Sequence, residues 1–551
     1  MKIDFTVTTT FITWTLVTRV SDGFTNYYKN REIRTPIIFH SIPNDKDKKF
    51  IEWMEKDCLD EVEYPGRTLV IQGQIPSYVL GGTYVKNGPG AFKTKTGKRR
   101  YTHAFDGLAK LIKFTFYKSE SGKIGVLFMT KFIDSLVRKC LLDWDWMIPS
   151  VTTGPVIPSW TSWEGLMASL LSVPLFDNTP VNVERISSTR TFAAVTDAPV
   201  TVSFDIHTLK TFGKVRYPGG IQGLKGLPLF STAHSKVGID GLTYNYFLEL
   251  APNGLFYANL VRTNQDFTQT SIGKVSTEGK ICYVHDISLT QKYAIIVLYP
   301  LTADPTRLAN GSGFLPQLQF NSSSPATIHV FSLNIGSMEP IATFETQAFF
   351  AYHHVNAYDD SNSIVLDILA YENGDIANNL HGFLYMDNMN NKDDRIKQVR
   401  EANVWRFHLP MNSPNNRFVI PKKTSFTLLD PDGDNFSFGF ELATVSPRVQ
   451  GRYYRYCYGF SGHYKGSEDF LDWAIVKQDV QTGEGNAVWY EEYAYPGEPI
   501  FVPDPESPKE DGGVLLSSVY DSQRRENYLL VLNAETMKEV ARAYTGTSMY
   551  G

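Results

Sequence analysis

Three features of the chain predict an all-β fold of the propeller type. Short apolar, β-branched and aromatic runs alternate with turn signals, long helical periodicity is scarce, and one loose hairpin pattern recurs. The runs include "YAIIVLYP" (293–300), "NSIVLDILAY" (362–371) and "GVLLSSVYD" (513–521). Turns are written by "KNGPG" (86–90), "APNG" (251–254) and "DPDGD" (430–434), where glycine, proline and Asx residues supply the turn angles. The recurring pattern starts at Phe204 ("FDIHTLKTFGKV"), Leu333 ("LNIGSMEPIATF") and Leu532 ("LNAETMKEVARA"). In each copy Asp or Asn follows an apolar residue, and its side chain can bond the backbone two residues on and start a hairpin. The copies are separated by roughly three, and by between four and five, units of the ~40–50 residues typical of a propeller blade. A propeller closes radially around a channel, so its innermost strands can aim side chains far apart in sequence at one axis.

Composition fits this fold and narrows the function. Of 551 residues, 42% are hydrophobic and 13% aromatic, with 35 Phe and 30 Tyr. Flat side chains pack well on pleated sheets and suit a site for a large apolar ligand. A charged fraction of 20% excludes wholesale disorder. The net charge of −5 leaves no basic footprint for nucleic acid. Cys58, Cys140, Cys282 and Cys457 form no CxxC pair, so neither a zinc knuckle nor a secreted disulfide framework is expected. They read as buried thiols in a reducing, cytoplasmic setting. No stretch reaches the ~18–20 apolar residues of a spanning helix. Residues 1–35, with "FTVTTTFITWTLVT" from Phe5, read as a poorly ordered or β-forming leader. Asp4, the threonine content and the lack of a small-residue cleavage site argue against a signal peptide. Residues 36–551 read as one domain.

Only 11 residues are His, and four lie in strand-like contexts: His234 in "STAHSKVG", His285 in "YVHDISLT", and His353 and His354 in "AYHHVNAY". The first two and the pair would come from three different blades. Their spacing matches neither a zinc finger nor the HExxH of a metalloprotease, so spacing alone shows no metal. Each also fits a hydrogen-bonded core histidine. Successive strand side chains point to opposite faces, so only one of His353 and His354 can face a shared centre.

Taken in order, these motifs resemble the carotenoid cleavage oxygenase family, which includes β-carotene oxygenases and a retinoid isomerohydrolase. The resemblance runs from "YVKNGPGAF" (84–92) through "HAFDGLAKL" (103–111), "DNTPVNV" (177–183), "TAHSKV" (232–237), "VHDISLT" (284–290) and "HHVNAYDD" (353–360). It continues through "YPGEPIFVPDP" (495–505) and "EDGGVLLSSVYD" (510–521) to the last hairpin. It implies a seven-bladed propeller under a lid of loops and helices, with one non-haem Fe(II) on the axis held by four histidines. Three ligands carry over by motif: His234, His285 and His353, the first of the pair. Neutral imidazoles suit ferrous iron, with positions left open for O₂. Ligating histidines donate their other N–H to an acceptor. The family uses carboxylates, and Glu441 ("FGFELATV") and Glu498 ("PGEPIF") match them. Asp197 ("AVTDAP") stands where the family typically has Glu. Being one methylene shorter, it is expected to make a longer or water-bridged contact.

The family's fourth ligand lies in a Phe-His-Gly element after the stretch that here reads "EVARA", and this sequence has no histidine beyond His463. A truncated or alternatively spliced product, another group in the fourth position, and loss of tight iron binding each account for that. The last blade is expected to be truncated and left open at its edge. His463 itself ("FSGHYKG") reads as a surface or loop residue.

One segment reads as a lid insertion, at about 140–180. Within "WTSWEGLMASLLSVPLF" (160–176), Trp160, Trp163, Met167, Leu170 and Leu171 share one face of a helix too short to span a bilayer. It fits a lid helix packed on the propeller. It also fits a patch that dips into a membrane and admits an apolar polyene, and the resemblance favours that second role. The expected function is Fe(II)-dependent cleavage of a carotenoid double bond by O₂. Retinyl-ester isomerohydrolysis, or binding of a carotenoid or retinoid without catalysis, are the alternatives.

Overall fold

A computed structural model describes residues 45–52, 62–119, 122–149, 152–165, 167, 176–186, 190–304, 313–334, 336–378, 385–390, 392–397, 400–412, 415–429 and 435–549. The leader expected at 1–35 lies outside these residues, as does Cys58. Strands dominate. Among the described residues the longest helix is Asp45–Glu52, and no helix is long and apolar enough to cross a membrane.

Among the described residues, seven sheets hold four or more strands, following one another along the chain. Their central strands are almost wholly buried, as in Tyr293–Leu298, Ser363–Ala370 and Gly513–Asp521. A continuous apolar run, rather than polar–apolar alternation, marks a strand covered on both faces. The sheets stand side by side. Thr83–Pro89 packs on Asn182–Arg185, and Ser288–Leu289 packs on His354–Asp360. His354–Asp360 in turn meets Glu441–Val445, which meets Ile500–Pro503. These neighbouring inner strands belong to the propeller.

The recurring hairpin pattern has a shared physical basis. Asp205 Oδ1 accepts the N–H groups of His207 (3.0 Å) and Thr208 (2.8 Å), turning Thr201–Asp205 into Thr211–Lys214. Asn533 Oδ1 accepts the N–H of Thr536 (2.8 Å), turning Glu526–Asn533 into Glu539–Tyr544. Four residues after each Asx, Leu209 (φ 54°) and Met537 (φ 55°) take the left-handed conformation that closes the turn.

The edge of the last blade, expected to be left open, is paired. Strand Glu539–Tyr544 is present, and its outer edge pairs with Val70–Gly73, Val70 facing Tyr544 and Gly73 facing Ala541. The backbone groups expected to be exposed are therefore satisfied. The three described cysteines, Cys140, Cys282 and Cys457, are buried free thiols.

The stretch read as a lid insertion opens with a helical turn, Lys139–Asp143, directly after Leu136–Arg138, and holds a further helical turn at 162–165. Of its expected apolar face, the two tryptophans differ in exposure. Trp160 packs against a buried cluster that includes Phe92, Tyr101, Leu141 and Met147, with the Arg99 guanidinium 4.4 Å over its ring, whereas Trp163 is 67% exposed. Arg99 also pairs with Glu164 at 2.7 Å. Met167 is half-buried, and Leu170 and Leu171 lie outside the described residues.

Candidate metal centre

Three loops carry histidines to one point. His234 follows strand Leu227–Ser231, His285 follows Ile281–Cys282, and His353 immediately precedes His354–Asp360. Their ligand nitrogens all lie within 4.8 Å of one another. The Nε2 atoms of His234 and His285 are 3.1 Å apart. Two nitrogens bound at about 2.1 Å to one ion, at right angles, sit about 3 Å apart, so this spacing fits shared ligation. The loop bearing His234 is fixed by its own bonds. Its N–H donates to Thr232 Oγ1 (3.1 Å), and Asn245 Nδ2 donates to the Thr232 carbonyl (2.9 Å).

The outer nitrogens of two of these rings meet carboxylates. His353 Nδ1 lies 2.7 Å from Glu441 Oε2, and His285 Nδ1 lies 2.7 Å from Asp197 Oδ2. Each carboxylate makes Nδ1 the protonated nitrogen and leaves Nε2 with a free lone pair. The expectation of a longer or bridged Asp197 contact is therefore corrected. The backbone supplies the missing length: Ser231 N–H donates to the Asp197 carbonyl (2.8 Å), and Ala233 N–H to its Oδ1 (3.2 Å). These bonds draw the aspartate toward His285. Glu441 is aimed by a bulge, since its strand shifts register between Glu441 and Thr444 and Leu442 takes φ 56°. Glu498 lines the same cavity but bonds none of the three histidines. Burial pushes its pKa up, opposed first by the charge of Lys86 and then by that of His353.

Burial, reinforced by its two histidine neighbours, holds His234 well below the usual histidine pKa, which keeps it neutral as a ligand must be. At His353 burial acts the same way, but the Glu441 charge and hydrogen bond carry the pKa above normal. His354 turns away, as strand alternation requires. Its ring sits between Ser288 Oγ (2.7 Å from Nδ1) and Tyr299 OH (2.9 Å from Nε2), and burial lowers its pKa to about 4. Its backbone N–H donates to Asp286, whose other oxygen pairs with Lys236 at 2.7 Å. His463 is not at the surface. It is 2% exposed, and its Nδ1 lies 2.6 Å from Glu401 Oε2, outside the cluster.

Sequence reasoning missed Tyr283. Its hydroxyl donates to Asp197 Oδ2 (3.0 Å), the same oxygen that holds His285. Burial, with Asp197 beside it, raises the phenol pKa well above normal, so it stays a donor. The signal was present: Tyr283 and His285 are two residues apart in an extended segment and so share a face. The cluster opens into a cavity of about 390 Å³ walled by rings, including Phe105, Phe230, Phe314, Trp473 and Tyr495, and reaching Thr152, Thr153 and Phe176.

A profile of the retinal pigment epithelial membrane protein family matches residues 56–549. The chain belongs to this family, that of the carotenoid cleavage oxygenases. Among its relatives is the mitochondrial carotenoid-cleaving dioxygenase of Macaca fascicularis, 26% identical over 536 residues, spanning 87% of this chain and 90% of that one. The β,β-carotene 15,15′-dioxygenase of Gallus gallus is 26% identical over 517 residues, spanning 87% and 93%. The fold matches a variant of Synechocystis apocarotenoid oxygenase with a TM-score of 0.72 at 21% identity, over 92% of this chain and 97% of that one. The cobalt-substituted form of that enzyme gives a TM-score of 0.73, also at 21% identity.

Proposed function

We propose that this protein cleaves a carotenoid double bond with O₂, using a ferrous iron held by His234, His285 and His353. One C=C bond and one O₂ become two carbonyl groups. The observation that carries the reading is the convergence of three Nε2 lone pairs at the end of an aromatic cavity, with Asp197 and Glu441 behind two of the rings. When bound there, iron would supply the one-electron chemistry that O₂ activation requires. The remaining work belongs to the protein. Neutral imidazoles leave the centre's charge on the metal. The carboxylates fix the tautomers, and Tyr283 steadies Asp197. The ring-walled cavity holds an extended polyene and keeps bulk water from it.

Access from a membrane fits the lid. Trp144 (63% exposed), Trp146 (50%), Ile157 (46%) and Trp163 (67%) all present apolar surface from this one insertion. Indoles favour the headgroup boundary, where a carotenoid can be taken up from lipid. The test is anaerobic loading with Fe(II), then oxygen uptake and chromatography of products from β-carotene. Stoichiometric O₂ use with aldehyde or ketone products supports the reading. Turnover without O₂ use, or full turnover by His285→Ala, overturns it.

A further inference from the structure

Lys86 lies in strand Thr83–Pro89, and its side chain lines the same cavity as the three histidines and Glu498. Its Nζ rests against Gly497, so closely that a Cβ there would lie 2.7 Å from the nitrogen. Glycine at 497 is therefore the space in which the amine sits. Other lysines drawn into the fold are engaged. Lys236 pairs with Asp286 at 2.7 Å, Lys274 with Glu249 at 2.8 Å, and Lys477 with Asp511 at 2.7 Å. Lys86 makes none of the hydrogen bonds or ion pairs recorded among the described residues. A lysine inside an aromatic cavity with its nitrogen uncommitted is a nucleophile in waiting.

We infer that Lys86 captures a polyene aldehyde in this cavity as a Schiff base, with Glu498 as the neighbouring carboxylate that serves the linkage. The inference rests on the proposed function for the aldehyde's class, since splitting a polyene double bond leaves a conjugated carbonyl in the chamber that Lys86 lines. The step balances without any oxidant. The amine adds to the carbonyl carbon to give a carbinolamine, and loss of one water leaves the C=N bond. Glu498 is suited to both halves. As an acid it protonates the departing hydroxyl, and as the resulting carboxylate it pairs with the iminium. Burial supports both roles: it lowers the Lys86 pKa against the pull of Glu498, so more of the amine is free, and it raises that of Glu498. Capture would hold one cleavage product back and shield it from water.

The test supplies the aldehyde directly, so its outcome does not depend on carotenoid cleavage. The full chain, without carotenoid and without O₂, is incubated with all-trans-retinal, reduced with borohydride, digested and mapped by mass spectrometry. The expected result is one retinyl group per chain on the Lys86 peptide, with a red-shifted absorbance before reduction. Lys86→Arg keeps the charge but cannot form the imine, so the label falls to background. Gly497→Ala crowds the nitrogen and lowers the yield. Label spread over exposed lysines in the wild-type map, or undiminished in Lys86→Arg, overturns the inference. The wild-type map decides the matter even if a variant fails to fold. Carotenoid cleavage measured separately reports on the proposed function alone.

Discussion

Replacing Glu441 with Gln is expected to weaken metal binding severalfold, up to about thirtyfold, while leaving the fold intact. The carboxylate takes the His353 Nδ1–H at 2.7 Å, and the same Oε2 accepts the Leu442 N–H at 3.0 Å. Gln can present its carbonyl oxygen to both donors, so neither is orphaned and the bulge survives. What disappears is the negative charge. A hydrogen bond to a charged group contributes about 1.5–3 kcal/mol and a neutral one about 1 kcal/mol. The difference, about 0.5–2 kcal/mol, corresponds to roughly a two- to thirtyfold loss of affinity. The same charge raises the His353 pKa, so its loss also makes that imidazole a poorer base and a poorer ligand. The assay is anaerobic Fe(II) or Co(II) titration against a competing chelator, with circular dichroism and thermal melting as fold controls. His353→Ala should abolish tight binding. Wild-type affinity in Glu441→Gln, or tight metal binding in His353→Ala, would refute the assignment of His353 as a ligand.

Other perturbations probe neighbouring links. Tyr283→Phe removes one of the two donors on Asp197 Oδ2 and should weaken metal binding a few-fold, by about 1 kcal/mol, with melting almost unchanged; unaltered affinity would leave Tyr283 as packing only. His103 is buried, which lowers its pKa to about 3, and its Nδ1 accepts the Phe105 N–H at 3.2 Å. Its folded-state pKa lies below the unfolded value, so its contribution is complete above about pH 6.5 and is lost as pH falls, because the unfolded chain binds a proton there and the folded one does not. His103→Asn, which can still accept from Phe105, should shrink the drop in stability between pH 7 and 5 by about 2 kcal/mol, read as urea midpoints at each pH. Trp163→Ser should reduce partitioning onto lipid vesicles by roughly tenfold through lost apolar burial, without changing the melting temperature. Equal partitioning would remove Trp163 from any membrane contact.

How far the chain could be read in advance depended on the distance over which each feature is decided. Local chemistry was legible. The Asx hairpins at Asp205 and Asn533, the buried central strands and the split fates of His353 and His354 follow from turn geometry and strand alternation, which act over a few residues. The three clustered histidines were found by motif, but their meeting point was not derivable, because it depends on how neighbouring sheets pack around the axis. The corrections share one cause. His463 looked like a loop residue because its partner Glu401 is 62 positions away and leaves no mark on "FSGHYKG". The last blade looked open because the strand that seals it, Val70–Gly73, comes from the other end of the chain. Asp197 looked too short because its reach was judged from side-chain length, when the backbone at Ser231 and Ala233 sets its position. That last case changes how the substitution for Glu should be weighed. A direct 2.7 Å bond to His285, shared with the Tyr283 hydroxyl, leaves little slack for one more methylene. Asp197→Glu, the change toward the family pattern, should therefore weaken Fe(II) or Co(II) binding in the chelator competition, and Tyr283→Phe in the same chain should restore part of it; unchanged affinity in Asp197→Glu would refute the tight fit.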